Sequence, residues 1–217
     1  MNQGINNIEI LTQRDIAVEF LEEHRSIFDQ KRGDGYWLWK PYLLSRLLEK
    51  AQEGDIVMYI DSGISLIRGT DNTVTNFIKY IRASEKDIFL KAGNQLNGHY
   101  TKRAALLHFG LDTEEFRNES HQLEAAIMVL KNTQKARDFV NKWLEACGIE
   151  SILTDLRTSV VEHGEFKDHR HDQALLTLLY YNNQEDCSLL TRDEVFDYNH
   201  HRRRNASETV ENKVFKW

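Results

Sequence analysis

The sequence has little proline, little cysteine and no repetition. Its 217 residues include one proline, Pro41, and two cysteines, Cys147 and Cys187. Two cysteines give no disulfide framework, and their spacing matches no metal-ligand motif, so a reducing compartment is the simpler assumption. No internal repeat, low-complexity stretch or linker interrupts the chain. These absences predict a single domain over residues 1–217, long enough to bury a substantial core.

An excess of positive charge and long apolar runs are also absent. The formal net charge is -6 and the pI is near 5.9, whereas general nucleic-acid binders carry a basic excess. No apolar stretch approaches the ~20 residues that span a bilayer, and no N-terminal apolar run resembles a signal peptide. We therefore expect a soluble, cytoplasmic protein with no transmembrane segment and no nucleic-acid partner.

What is present is an alternation of strand-like and helix-like segments. Apolar runs predict strands at 7–11, 56–60, 88–90 and 125–130. Helical spacing of apolar residues predicts helices at 14–31, 43–51, 74–81, 101–109 and 136–144. Thr133 is predicted to cap the last of these helices and Gly148 to end it. The run at 56–60 is apolar throughout, which predicts a strand buried on both faces, as in a parallel sheet covered by helices. The alternation favours one α/β layer domain.

The stretch from Gly35 to Gly63, GYWLWKPYLLSRLLEKAQEGDIVMYIDSG, carries the strongest functional signal. Pro41 stands where the first turn of a helix tolerates proline, and the apolar strand after that helix ends at Asp61. Ligands of open α/β sheets bind beyond the carboxyl ends of the strands. Ser62 and Gly63 are small enough for a phosphate to approach the backbone. The structural alternative is that Asp61 only caps the next turn.

Later segments also concentrate polar side chains. Residues 169–173 read HRHDQ before a leucine-rich helix, and residues 199–204 read NHHRRR in an otherwise acidic chain. The structural alternative is a helix cap for residues 169–173 and a solvated tail for residues 199–204. The functional alternative is a phosphate or metal site. Lys102 and Arg103, near a predicted helix start, belong either to a solvated face or to a binding site.

Together these motifs resemble the GT-A-fold, nucleotide-sugar-dependent glycosyltransferases. They are most similar to small bacterial and viral transferases that carry GYWxWKP, then YxDxG, then HRHDQ before a leucine-rich helix. The matching residues here are 35–41, 59–63, 100–103 and 169–173. The order of the motifs along the chain is more remotely similar to that in the retaining galactosyl- and glucosyltransferases of family eight. The resemblance implies a single GT-A-like α/β domain with a mixed central sheet flanked by helices, lacking the usual first strand. Residues 199–217 would form a tail that covers the active site.

The resemblance also implies a divalent cation, Mn²⁺ or Mg²⁺, that neutralises the diphosphate of the donor. Asp61 matches the first acid of the DxD motif and would bind the cation, with His200 or His201 as a late ligand. Gly63 stands where the second acid would be. His201, water and donor phosphates would therefore have to complete the shell, which hard cations commonly allow.

The other site residues implied by the resemblance bind the donor or act at the reacting sugar. Asp172 and Gln173 match the first two positions of a DQD segment and are the expected catalytic residues. The residues expected to bind the donor are Tyr36, Trp39, Lys40, Asp61, Ser62, Gly63, Lys102, Arg103, His171 and either Arg202 or Arg203.

Two further expectations concern the environment of these residues. Alternation along an extended GYWLW segment would place Trp37 and Trp39 on one side and Tyr36 on the other. The neighbours His171 and Arg170, with the start of the following helix, would lower the pKa of Asp172 and keep it ionised.

The sequence thus predicts transfer of a sugar from a nucleotide-diphosphate donor, with a UDP-sugar as the expected donor. The acceptor would be a hydroxyl on a glycan, a glycolipid or a glycoprotein. One alternative is a non-catalytic module that binds nucleotide sugars or carbohydrates. The other is a metal-dependent phosphohydrolase of the HD type, suggested by the pair His171–Asp172, which would need an all-helical scaffold.

Overall fold

Strands from both ends of the chain meet in one mixed sheet. The computed structural model describes residues 7–66, 72–190, 198–200 and 212–216. The strands in these ranges are β1 (Asn7–Leu11), β2 (Ile56–Ile60), β3 (Ile64–Leu66), β4 (Ile88–Leu96), β5 (His121–Lys131), β6 (Cys187–Leu190), β7 (Tyr198–His200) and β8 (Asn212–Lys216). Six of them form a sheet in the order β1-β8-β2-β5-β4-β6, and β3 pairs with β7 in a separate ribbon.

The helices lie on both sides of this sheet. They are α1 (Val18–Glu23), α2 (Arg25–Phe28), α3 (Gly33–Tyr36), α4 (Trp39–Lys50), α5 (Asn72–Ala83), α6 (Asn97–Tyr100), α7 (Arg103–His108), α8 (Glu114–Glu119), α9 (Gln134–Cys147), α10 (Glu150–Leu153) and α11 (His171–Tyr181). Short 3-10 turns cover Gln13–Asp15 and Gln184–Asp186. No helix in the described ranges has the length and apolar character needed to cross a membrane.

Alternation along the strands divides the core into two layers. In β2, Val57 and Tyr59 pack with α4, α9 and α11, whereas Ile56, Met58 and Ile60 pack with α5 on the opposite face. Successive side chains of a strand point to opposite faces, so a strand between two helical layers must be apolar at every position. The prediction of a mixed α/β domain with a central sheet flanked by helices is confirmed. This sheet excludes the all-helical scaffold that the phosphohydrolase alternative requires.

The prediction that β2 belongs to a parallel arrangement is wrong. All five of its residues are buried, but β2 is antiparallel to both of its neighbours, β5 and β8. Among the described strands, β4 and β6 form the parallel pair. Burial on both faces reflects helices above and below the sheet, and that covering does not depend on the direction of the neighbouring strands.

The predicted helix over residues 14–31 is also wrong in part. The segment divides into a 3-10 turn capped by Thr12, then α1 and α2. Ile16 has an extended backbone after the 3-10 turn and is only 5% exposed. Its burial in the core redirects the chain between the turn and α1.

The predictions for α9 are confirmed. The Thr133 hydroxyl accepts a hydrogen bond from the Ala136 backbone N–H at the start of the helix, and Gly148 ends it. The apolar stripe faces the core, where Trp143 is fully buried. Pro41 lies in the first turn of α4, as the sequence predicts.

The C-terminal residues contribute to both sheets. Strand β7 pairs with β3, with Ile64 opposite His200, and β8 lies between β1 and β2. Residues 212–216, which the resemblance places in a covering tail, are therefore part of the sheet. Residues 201–211 lie outside the described residues.

Candidate functional site

A buried lysine brings the three predicted motifs together. The Lys40 ammonium lies 3.2 Å from Asp61 Oδ1 and 3.4 Å from Asp172 Oδ2. Lys40 comes from the first turn of α4, Asp61 follows β2, and Asp172 lies in the first turn of α11. The side chain of Asp61 is 31% exposed, whereas those of Lys40 and Asp172 are 6% and 4% exposed. The three groups thus form a row of charges, which we call the charge row, with Asp61 at the solvent and Asp172 inside.

Asp61 is fixed by the end of β2. Its backbone N–H donates to Ala126 of β5 at 2.9 Å, and its carbonyl accepts from Ile64 at 3.0 Å, which closes a turn over Ser62 and Gly63. The Tyr59 hydroxyl donates to Asp61 Oδ1 at 2.5 Å, because residues two apart on a strand share a face. Ser62 and Gly63 are partly exposed, so the turn presents backbone to solvent beside the Asp61 carboxylate.

Asp172 is fixed by the helices beneath the sheet. The fully buried Trp143 indole of α9 donates to the Asp172 carbonyl at 2.9 Å. The preceding His169 is also buried: its Nδ1 accepts from the Lys102 backbone N–H at 3.1 Å, and its Nε2 donates to the Ile152 carbonyl at 2.8 Å. With both ring nitrogens engaged, His169 anchors the start of α11 and is not available as a metal ligand.

Burial controls the titration of the row. Burial raises the pKa of Asp172 to about 6, Lys40 opposes that rise and the Asp61 charge adds to it. Burial alone would lower the pKa of Lys40, but the two carboxylates outweigh it and the pKa is raised. The expectation of a lowered Asp172 pKa is therefore wrong. Burial lowers the pKa of His171 as well, so this neighbour supplies no dependable positive charge.

The aromatic segment before Lys40 is not extended, which corrects the expected alternation. Residues 33–36 form the turn α3, and Tyr36 and Trp37 adopt positive φ angles of 52° and 61°. Trp39 is buried and its indole donates to the Gly33 carbonyl at 3.1 Å. The Tyr36 hydroxyl donates to Asp155 at 3.3 Å, and the Trp37 ring stacks on His171 with centroids 5.7 Å apart. The segment thus wraps around His171, next to Asp172.

Lys102 and Arg103 lie at a different part of the surface. The buried Lys102 ammonium donates to the carbonyls of Thr154 and Leu156. Arg103 donates to Asp112 at 2.9 Å and to the Val161 carbonyl at 3.1 Å. These contacts hold the loop before α11, and no contact that the structure gives these two residues reaches the charge row.

Gln173 contacts a buried amide network. Its side-chain amide donates to Gln122 at 3.3 Å, and the Gln122 amide donates to Asn97 and Thr101 at 2.8 and 2.7 Å. Gln173 itself is partly buried. Its contacts tie α11 to β5 and α6.

The described residues alone do not fit a divalent cation. The Asp61 carboxylate already accepts from Tyr59 and pairs with Lys40, and Gly63 offers no side-chain ligand. The parts of the chain that the structure describes contain no group of three or more histidine, cysteine or acidic residues placed to hold a metal. The predicted ligand His201 and the predicted phosphate contacts Arg202 and Arg203 lie outside the described residues. The backbone at His200 pairs with Ile64, close in the chain to Asp61, so the metal stays a prediction.

Sequence reasoning missed two contributors to the site. Tyr59 lies inside the YIDSG motif, and strand periodicity could have placed it on the same face as Asp61. Asp155, which accepts from Tyr36 and pairs with Arg32, has no comparable signal, because Arg32 lies 123 residues away in the chain.

Comparison with known proteins finds no relative of this chain. No protein-family model matches the chain, and neither a curated protein nor a solved structure matches it.

Proposed function

We propose that this protein is a glycosyltransferase of the GT-A type, which moves a sugar from a nucleotide-diphosphate donor, a UDP-sugar in the first instance, to a hydroxyl of a glycan or glycoconjugate. The observation that carries the proposal is the charge row. Lys40, Asp61 and Asp172 come from the three motifs of the resemblance, yet the Lys40 ammonium lies 3.2 Å from the Asp61 carboxylate and 3.4 Å from that of Asp172. A chance likeness of short motifs would not require their charged groups to meet.

The donor would bind over the turn that follows β2. Asp61 is the member of the row that solvent reaches, and a carboxylate accepts hydrogen bonds from sugar hydroxyls. Ser62 and Gly63 carry little or no side chain, so phosphate oxygens can approach their backbone. Tyr59 and Lys40 fix the Asp61 carboxylate before the donor arrives, which reduces the reorganisation that binding requires.

Asp172 acts through Lys40 in this proposal. The resemblance implies a catalytic role for Asp172, but its side chain is only 4% exposed and lies against the Lys40 ammonium. A carboxylate in that position holds the ammonium charged and oriented. We therefore treat Asp172 as a positioning residue for Lys40, and the group that accepts the proton of the acceptor has to lie elsewhere.

A nucleotide-sugar screen tests the proposal directly. Thermal shift would be measured with UDP-, GDP- and ADP-sugars, each with and without Mn²⁺, followed by release of nucleoside diphosphate. A donor present at a hundred times its dissociation constant should stabilise the protein by ~2.7 kcal/mol. A strict Mn²⁺ requirement would mean that residues outside the described ranges, His201 first, complete a metal site. Binding without release of nucleoside diphosphate in the presence of any glycoside would favour the non-catalytic module.

Asp61→Asn gives the sharpest variant. It keeps the size of the side chain but removes the charge, so release of nucleoside diphosphate should fall by about a hundredfold or more while the melting temperature changes little. Asp186→Asn is the matched control, because Asp186 is 29% exposed and pairs with Lys135 at 2.7 Å. Equal activity in the two variants would remove Asp61 from the active site and with it the main support for the proposal.

A further inference from the structure

The Lys40 ammonium has the surroundings of a bound cation. Three oxygens lie around it: Asp61 Oδ1 at 3.2 Å, Asp172 Oδ2 at 3.4 Å and the Ala125 carbonyl, to which it donates at 3.4 Å. They come from three separate parts of the fold, namely the end of β2, the first turn of α11 and strand β5. An ammonium carries three hydrogens, so it has as many hydrogens as it has oxygen neighbours. The three oxygens, which we call the oxygen shell, thus surround one side-chain cation.

The dimensions of the oxygen shell suit an ammonium better than a bare metal ion. Mg²⁺ and Ca²⁺ bind oxygen ligands at about 2.0–2.6 Å, whereas the carboxylate oxygens lie 3.2 and 3.4 Å from the Lys40 nitrogen. The rings of Trp39 and Tyr59 also lie beside this nitrogen, each with its centroid at 5.8 Å. Aromatic rings at that distance attract a cation, but they offer no ligand atom to a hard metal ion. The surroundings of Lys40 therefore favour an organic cation.

Folding itself delivers the Lys40 cation to the oxygen shell. Its side chain is 6% exposed, and its backbone N–H donates to the Trp37 carbonyl at 3.0 Å. Tyr36 and Trp37, in the preceding turn, have positive φ angles of 52° and 61°, and such strain persists where surrounding structure enforces it, often at functional sites. A dissolved divalent ion would instead have to shed water, which ions such as Mg²⁺ do reluctantly.

The charges around Lys40 also oppose a second cation. A divalent ion on the exposed Asp61 carboxylate would face the ammonium across one carboxylate group, and like charges repel strongly where burial limits screening. The buried Asp172 Oδ2 makes no hydrogen bond of good geometry within the described residues, so it depends on the charge of the ammonium. Gly63 adds no carboxylate to the turn. Lys40 would have to leave before the two carboxylates could share a metal.

From these observations we infer that the Lys40 ammonium is the resident cation of this site and keeps a divalent metal out of the place between Asp61 and Asp172. Lys40 and Tyr59 orient the Asp61 carboxylate, which needs no metal for that purpose. The inference replaces the role of metal ligand that the resemblance implies for Asp61. It rests on the proposed function only in treating the charge row as a donor site, because the place of the ammonium does not depend on any activity.

Binding of Mn²⁺ alone tests the inference without any nucleotide sugar. Free Mn²⁺ would be counted by its electron paramagnetic resonance signal during titration of the full chain. The wild type and Asp61→Asn should bind Mn²⁺ with affinities within about threefold of each other, because Asp61 is not a metal ligand. Equal affinities place any bound Mn²⁺ away from Asp61, as inferred. A larger loss of affinity in Asp61→Asn would overturn the inference.

Lys40→Ala should create the metal site that the lysine closes. Alanine leaves the space between the two carboxylates open, and carboxylate oxygens are good ligands for hard cations. The variant should bind Mn²⁺ at least about tenfold more tightly than the wild type. Its melting temperature should also rise with Mn²⁺ concentration more than that of the wild type, because an ion that binds the folded state stabilises it.

Two controls assign the gained affinity to the charge row. Adding Asp172→Asn to Lys40→Ala should remove the gain, because it removes one of the two carboxylates. Lys135→Ala is the matched control for the loss of a lysine, since Lys135 pairs with Asp186 at 2.7 Å and is 66% exposed. Its affinity for Mn²⁺ should stay within about threefold of the wild type.

Each outcome decides the inference separately from the proposed function. A folded Lys40→Ala that binds Mn²⁺ no better than the wild type, or a gain that survives the addition of Asp172→Asn, would overturn the inference. If Lys40→Ala does not fold, the comparison of the wild type with Asp61→Asn decides alone. If the metal results are as expected but no nucleotide sugar binds, only the proposed function fails. If a nucleotide sugar is hydrolysed only with Mn²⁺ bound at Asp61, only the inference fails.

Discussion

The charge row and the loop over residues 154–170 use ion pairs in opposite ways. In the row, Lys40 and Asp172 are almost completely buried and partner each other across α4 and α11. The loop aspartates Asp155 and Asp168, and the Arg32 side chain that pairs with both, are each about 40% exposed. A buried charge that loses its partner stays in a low-dielectric environment, whereas an exposed one is solvated by water. The free energy of unfolding should therefore be sensitive to substitution of the two buried members of the row, Lys40 and Asp172, whereas the loop should tolerate most substitutions.

Removing the central cation should have the largest effect. Lys40→Met keeps an unbranched side chain of similar length but leaves two carboxylates facing each other, one of them buried. The free energy of unfolding should fall by about 3–5 kcal/mol, measured by urea denaturation at pH 7.5. Lys135→Met, which removes an exposed partner of Asp186, is the control and should unfold at the wild-type urea concentration. Equal stability of the two variants would contradict the large contribution to the free energy of unfolding that we assign to the buried Lys40 ion pairs.

Asp172→Asn should change the response to pH. The pKa of Asp172 is about 6 in the folded protein against 3.8 for an unperturbed aspartate, so the folded state binds this proton more tightly than the unfolded state. This carboxyl therefore favours folding below pH ~4, and that contribution is lost as pH rises through ~6. Urea denaturation at pH 5 and pH 7.5 should show a smaller difference for the variant than for the wild type. An unchanged difference would mean that Asp172 does not titrate in this range.

The same variant should also alter the activity profile. Below pH ~6 the wild-type Asp172 is protonated and no longer holds the Lys40 ammonium in place, so release of nucleoside diphosphate should increase as pH rises through that value. In Asp172→Asn this rise should disappear. The rate at pH 7.5 should be at least about a hundredfold lower because Lys40 and Asp61 lose their orientation, with donor affinity within severalfold of the wild type. A preserved rise near pH 6 would assign it to another group.

Arg32→Met should have the smallest effect on stability. Its two ion pairs are exposed, and such pairs contribute ~0–1 kcal/mol each and weaken with salt. The urea midpoint should change by less than a tenth at low salt and become equal to the wild type at 1 M NaCl. A loss as large as that of Lys40→Met would show that the loop is part of the cooperative core and would erase the contrast between the two regions.

The positions of β2 and α9 could be predicted from the sequence because local patterns define them. The five apolar residues of β2 are buried, and Thr133 and Gly148 bound α9 as predicted. The direction of the neighbouring strands could not be read, because the same apolar run suits a parallel or an antiparallel partner when both faces are covered. The turn at Tyr36 and Trp37 was also unpredictable, since its positive φ angles depend on packing around His171.

The sequence by itself determined the alternating strands and helices and singled out Lys40, Asp61 and Asp172 as candidate functional residues. Only the tertiary structure decided that these three form one row, that Asp172 lies inside it with a raised pKa, and that Lys102 and Arg103 hold a loop instead. The physical reason is that hydrophobic periodicity is a local property of the chain. Burial, desolvation and ion pairing arise between segments that are far apart in the chain, such as Arg32 and Asp168, which are separated by 136 positions. Only folding brings such segments together.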